Sequence, residues 1–100
     1  MSEVVENPDA HRFEILVDGE VAGFTDYHDR GNRRAFTHTE TEPGYEGRGL
    51  ASKLVATVLD YARANGLEVL PYCPFVRDYI QQHRDYVELV PADERAKFGL

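Results

Sequence analysis

Hydrophobic positions along this chain change period once, near the middle, and that change predicts its architecture. From His11 to Val17 the residues Phe13, Ile15 and Val17 fall on one face, the period-two pattern of a half-buried strand. Asp18-Gly19 follows, a dipeptide suited to a two-residue hairpin turn. Glu20 to Tyr27 reads as the returning strand, with either Ala22 and Phe24 or Val21 and Tyr27 turned inward. The polar run His28-Asp29-Arg30-Gly31-Asn32 predicts a second turn, with Gly31 at positive φ. Arg33 to Thr41 is a third strand, with Ala35, Thr37 and Thr39 on one face and Phe36, His38 and Glu40 on the other. Together the three make an antiparallel meander.

Beyond Gly47 the period becomes helical. Leu50, Leu54, Val58, Tyr61 and Ala62 recur at helix spacing up to Asn65, widened by Val55 and Leu59, and Gly66 is placed to end the helix. The stripe Leu50-Leu54-Val58 is core and carries no chemistry. Leu67 to Tyr72 predicts a short apolar strand. Its connection through a helix implies that it lies parallel to the third strand. Cys73 stands at the N-cap of a second helix, Pro74 to about Gln82, with proline at the first helical position, where a missing N–H costs nothing. Asp85 to Val90 predicts a last extended segment, Pro91 to Leu100 a loose, polar helical tail, and residues 1–9, ending at Asn7-Pro8-Asp9, a frayed leader. The order β-β-β-α-β-α is an α+β fold with helices on a mixed sheet.

Composition narrows the function classes. One hundred residues with 42% apolar content support a single domain, and no stretch approaches a membrane span of roughly 18 apolar residues. The N-terminus lacks the basic start and apolar block of a secretory signal. A single cysteine excludes an intramolecular disulfide and predicts a reducing, cytoplasmic setting. The net charge of −7 argues against nonspecific nucleic-acid binding. That charge is uneven, with ten acids against four arginines over residues 1–44 and eight acids against seven bases over residues 45–100. A phosphate-bearing ligand is expected on the second half and a cationic substrate on the first.

Gly44 to Lys53, Gly-Tyr-Glu-Gly-Arg-Gly-Leu-Ala-Ser-Lys, joins the third strand to the long helix. Glycines let backbone amides approach a ligand, and a helix start offers unpaired N–H groups and partial positive charge. The segment lacks the Gly-Lys-Ser/Thr ending of an ATP-binding loop and the Gly-x-Gly-x-x-Gly of a dinucleotide fold. By itself it also reads as a tight turn with a helix cap.

The motif Glu46-Gly47-Arg48-Gly49-Leu50-Ala51 resembles the Gln/Arg-x-x-Gly-x-Gly/Ala loop of GCN5-related N-acetyltransferases, which binds the pyrophosphate of acetyl-CoA. The wider match is to the very small YjdJ-type members of that superfamily. It rests on His38-Thr39-Glu40-Thr41 before the loop, Pro71-Tyr72-Cys73-Pro74-Phe75 after the helix, then Tyr79-Ile80, His83 and Glu88-Leu89-Val90, and covers about residues 10–91. The resemblance implies an acetyl-CoA-binding domain over those residues. The third strand and Leu67–Tyr72 would splay apart around the pantetheine arm, and the loop amides would take the pyrophosphate, with Ser52 or Lys53 as further donors. It implies cofactor contacts from Thr39, Thr41, Glu46, Gly47, Arg48, Gly49, Leu50, Ala51, Ser52, Pro74, Phe75 and Tyr79. Glu46 departs from the superfamily pattern, and its carboxylate is expected to turn away from the pyrophosphate, with Arg48 offsetting its charge.

The reaction so implied is acetyl transfer to an amine. Cys73, at a helix N-terminus that favours thiolate, is the candidate nucleophile, either as acetyl acceptor or as a thiol in direct transfer. His38 and Glu40 are the candidate bases, since a histidine accepts a proton near neutral pH. Each of the three also has a bland reading, as a small buried residue or a solvated polar pair. His38-x-Glu40 is too sparse for a metal. His83 is expected to cap its helix or to interact with its dipole, and Tyr72 and Tyr79 either to pack or to supply a proton to the departing CoA. The acceptor is expected to be a small-molecule or protein amine, without nucleic acid or membrane, and the oligomeric state is open. The alternative is a CoA-binding or protein-interaction module without turnover.

Overall fold

The computed structural model describes residues 1–100 and contains one five-stranded sheet in the order β1-β2-β3-β4-β5. The strands are β1 (Ser2–Asn7), β2 (Arg12–Val17), β3 (Glu20–Arg30), β4 (Arg33–Thr41) and β5 (Glu68–Pro71). The helices are α1 (Leu50–Ala64) and α2 (Pro74–Gln82), and short 3-10 turns carry the chain to its end. β1 to β4 are antiparallel, and β5 joins β4 in parallel through the α1 crossover, as expected. Asp18 and Gly19, both at positive φ, make the first hairpin turn. No helix is long and apolar enough to cross a membrane.

Three expectations are corrected. Residues 1–9 are not a frayed leader, because Ser2–Asn7 pairs along its whole length with β2. Leaving β2 as an edge would strand its backbone N–H and C=O groups, and the added strand covers them. Asp85–Val90 is not a strand. It lies within a 3-10 stretch, Arg84–Leu89, that buries Tyr86 and leads into buried Val90, while the Arg63 guanidinium donates to the Asp85 carbonyl at 2.8 Å. The tail is only partly loose, since Phe98 is buried against Tyr72 and Gln81 and Arg84 donate to the carbonyls of Gly99 and Leu100.

The core lies on the sheet face that α1 and α2 cover. Leu54, Val55, Val58, Leu59 and Ala62 of α1 and Val76 and Ile80 of α2 meet Phe13, Ile15, Phe36 and Val69 from the sheet. Two register shifts decide which strand residues take part. One falls between Ile15 and Leu16 on β2, and β3 turns Ala22, Thr25 and Tyr27 inward, a combination that strict alternation does not produce. The other sets Asp26 opposite His38 and Tyr27 opposite Phe36, so Thr37 is an extra residue in β4. The phase of β4 therefore flips at Thr37. Arg34 and Phe36 face the helices before it and Thr39 faces them after it, while His38 and Glu40 face out. The expected grouping of Phe36 with His38 and Glu40 is overturned.

At the start of β4, Arg34 is buried. Its guanidinium donates to both Asp29 carboxylate oxygens at 2.7 and 2.9 Å and lies 3.8 Å over the Tyr27 ring, while Glu6 of β1 stands 4.0 Å from it. The Tyr27 hydroxyl donates to Glu6. This network ties β1, β3 and β4 at one end of the sheet. At the other end the strands part: β4 and β5 pair only from Arg33–Glu68 to Phe36–Pro71, and Cys73 N–H closes on the Phe36 carbonyl at 2.8 Å. Beyond Phe36, β4 runs on with no strand on that side.

Candidate active site

The opening between β4 and the start of α2 is bounded by the loop that leads into α1. Gly49 is the α1 N-cap with φ 72 and ψ 14, a left-handed conformation that a residue with a Cβ adopts only with strain. It makes no side-chain cap bond, so the amides of Leu50, Ala51 and Ser52 are left without intrahelical partners. They line a cavity of about 280 Å³ with Thr41, Tyr45, Glu46, Gly47, Gly49 and Phe75. A second hollow of about 320 Å³ shares Ser52 and Phe75 with it and continues to Asp78, Tyr79 and Gln82 of α2. Eight of the twelve expected cofactor residues thus meet in one cavity, and Tyr79 lies in its continuation.

Three do not join them. The Arg48 guanidinium stands 5.3 Å from the centre of the Tyr45 ring and lines a separate hollow beside Asp18 and Glu20. Thr39 faces the core and shares a hydrogen bond of 2.6 Å with the buried Thr25 hydroxyl. Pro74 is the first residue of α2. The Glu46 carboxylate accepts from the Gly44 amide at 2.8 Å, so one of its oxygens is engaged within the loop. Tyr45 was not foreseen. The only signal for it was an aromatic residue inside a glycine-rich turn.

The three candidate catalytic residues do not form a triad. Cys73 is the N-cap of α2, buried on the helix side of the sheet, and its thiol lies 3.4 Å from Thr39 Oγ1. His38 and Glu40 sit on the opposite face of β4, more than half exposed, with His38 Nε2 at 3.1 Å from Glu40 Oε1 and the Phe24 ring 6.0 Å from the imidazole. The extra residue at Thr37 separates the two groups. The contact that replaces the expected one, Cys73–Thr39–Thr25, depends on pairing across β3, β4 and the end of β5, and no local motif announces it.

The remaining aromatic candidates are occupied. The Tyr72 hydroxyl accepts from Lys97 Nζ at 2.7 Å. Tyr79 stacks on His83 at 4.0 Å, and burial, helped by the charges of Asp60 and Asp85, raises its pKa. His83 is the C-cap residue of α2, as expected, with its ring Nδ1 2.9 Å from the Tyr79 carbonyl. Burial, together with a hydrogen bond to Asp60, pushes Tyr86 up to about 12. No group of three or more His, Cys, Asp or Glu side chains is placed to hold a metal ion.

The family model described as GCN5-related N-acetyl-transferase matches residues 12–89. The chain belongs to that family. It is therefore an acyltransferase, and acetyl-CoA is the acetyl donor that the family generally uses. Among solved structures it is similar to a GCN5-like protein from Staphylococcus aureus assigned as an N-acetyltransferase, with a TM-score of 0.68 and 21% identity over 89% of this chain and 87% of that one. It is also similar to a ribosomal-protein-alanine N-acetyltransferase from Brucella melitensis biovar Abortus, with a TM-score of 0.57 and 19% identity over 81% of this chain. The match spans 61% of that enzyme. At these identities the likenesses establish the fold. No curated protein matches the chain by sequence.

Proposed function

We propose that this acetyltransferase holds acetyl-CoA along the continuous hollow from the Glu46–Ser52 loop to Tyr79 and acetylates an amine presented on the open face of the sheet. One observation carries the reading: three unpartnered amides, at Leu50, Ala51 and Ser52, line a cavity at a glycine N-cap. Such a helix start takes a phosphate oxygen through its N–H groups and its dipole. Glu46 lines the same cavity and Arg48 does not pair with it, so the amides, and not side-chain charge, would hold the anion. Phe75, 40% exposed between the two hollows, offers an apolar surface to the rest of the cofactor.

Acetyl-CoA supplies an activated acyl carbonyl. The chain's own residues then divide the work by face. On the helix side, the Cys73 thiol is the candidate nucleophile, and Thr39 orients it through a hydrogen bond. On the open side, His38 takes the proton from the incoming amine, and Glu40 fixes the imidazole through its hydrogen bond. Backbone N–H groups of β4 beyond Phe36, free of β5, are available to a developing oxyanion. The reaction belongs in a reducing compartment such as the cytoplasm, where a lone thiol persists.

Calorimetric titration with acetyl-CoA tests the binding half. The parent protein is expected to bind saturably and Gly49→Asp to lose binding by about 100-fold or more, because a carboxylate is placed against the phosphates. Aspartate tolerates positive φ better than most residues, so the variant is expected to remain folded. Equal affinity in both proteins would remove the loop as the site. For the chemistry, Cys73→Ala is expected to retain cofactor binding and lose most transfer. Full transfer by that variant would eliminate the covalent route.

A further inference from the structure

The open face of the sheet holds a further hollow, at the N-terminal end of the β4–β5 pairing. It measures about 220 Å³ and is lined by His28, Arg30, Arg33, Ala35, Leu70 and Tyr72. Register explains the grouping. His28 pairs with Ala35 and Ala35 with Leu70, and Arg30 pairs with Arg33 and Arg33 with Glu68, so two adjacent rows point outward from the same three strands. Ala35–Leu70 is one step before Phe36–Pro71, the last pair before the strands part. The hollow thus opens within two residue steps, about 7 Å, of the splay point. Tyr72 forms its wall and is covalently next to Cys73.

Its charge is unusual for an acidic chain. Of the eleven lysine and arginine side chains, Arg30 and Arg48 alone make neither an ion pair nor a hydrogen bond. Arg48 lies in another hollow, beside Tyr45 and the carboxylates of Asp18 and Glu20. Arg30 faces this hollow. Arg33 is held by Glu68 at 3.1 Å and Glu94 at 3.8 Å, which neutralise it, and Lys97 is engaged by Tyr72. Arg30 therefore presents to this hollow a guanidinium with no partner in the chain, beside an apolar floor of Ala35 and Leu70.

We propose that this hollow is the acceptor subsite and that the acceptor is an amine that also bears a carboxylate. Arg30 binds the carboxylate, Tyr72 and Leu70 contact the carbon chain, and the amine reaches the gap between Thr37 and Tyr72. The inference rests on the acetyl-transfer reading and narrows it, selecting amino-acid-like acceptors over polyamines. A guanidinium pairs a carboxylate through two parallel N–H bonds, whereas a polyamine brings only cations to Arg30.

Lysine and 1,5-diaminopentane differ only by the carboxylate and form the test. Amide resonances are followed by NMR while each is titrated into the protein saturated with acetyl-CoA, with transfer read in parallel as thiol release. Lysine is expected to shift resonances of residues 28–33 and 70–72 saturably and to bind about tenfold more tightly than the diamine. Arg30→Gln is expected to erase that preference and Arg30→Lys to restore part of it, with acetyl-CoA affinity unchanged in both. Absence of saturable shifts at these residues, equal binding of the two amines, or an unchanged preference in Arg30→Gln would each overturn the proposal. Failure of the acetyl-CoA titration itself would instead count against the cofactor reading.

Discussion

The two ends of β4 are built on opposite principles. At its start, Arg34 is buried with its charge answered by Asp29 and Glu6 and its face covered by Tyr27. One nitrogen, Nη1, is buried without a hydrogen bond and has only Glu6 at 4.0 Å. At the far end, β4 outruns β5, and α1 begins on a glycine that caps nothing. The first end answers most of its polar groups within the chain, and the second leaves the amides of Leu50, Ala51 and Ser52 without a partner in it. The unpartnered amides at this helix start are the groups that the proposed phosphate contact would use.

Breaking the closed end is expected to have the largest effect on stability. Arg34→Met keeps the volume but leaves Asp29 and Glu6 without their cation. Because both carboxylates are partly exposed, the loss is expected to be about 2 kcal/mol, less than for a fully buried pair, read as a fall in Tm on the order of 10 °C. Acetyl-CoA affinity is expected to be unchanged, and a matching loss of affinity would show that the two ends are coupled.

The pH dependence sharpens the contrast. Burial, then the hydrogen bond and charge of Glu6, push Tyr27 up to about 12, and burial and Asp60 do the same for Tyr86. A group whose folded pKa is raised contributes stability that is full below its unfolded value, about 10, and is lost as pH rises toward 12. Unfolding followed between pH 9 and 12 is expected to steepen in the parent and to flatten in Tyr27→Phe. On the acid side, the Arg34 hydrogen bond is the main cause holding Asp29 below its ordinary value. That contribution is present above the unfolded pKa of Asp29 and is lost as pH falls through the folded one. Denaturation monitored from pH 5 to 2 is expected to be shallower in Asp29→Asn.

The smallest effect is expected at the open end. Gly49→Ala meets no neighbouring atom with its new Cβ, so only the backbone conformation resists it. A loss of about 1 kcal/mol is expected from chemical denaturation. A much larger loss would mean that the loop is part of the folding core and is no pre-formed cradle.

The sequence made most of the scaffold legible because its elements are strongly periodic and punctuated. The strands from Arg12 to Thr41, the α1 stripe and the Cys73-Pro74 start of α2 are local patterns, and so is the glycine loop. β1 was not legible: Ser2–Asn7 carries two adjacent valines among polar residues, and only pairing with β2 makes it a strand. Tyr86-Val87-Glu88-Leu89 alternates like a strand, yet Arg63 and Asp60 of α1 hold it as 3-10 turns.

The site divides in the same way. Backbone conformation at Gly49 and the helix start after it follow from residues in contact along the chain, so the sequence alone determined the loop, the family and the reaction class. The facing of Cys73 away from His38 and Glu40 came from one additional residue in β4, whose position is fixed by hydrogen bonds to β3. The grouping of Arg30 with Leu70 and Tyr72 likewise required β5 to dock in register. A period-two pattern reports which side chains share a face only while the register is unbroken. Where it breaks, long-range pairing decides, and that information resides in the tertiary structure.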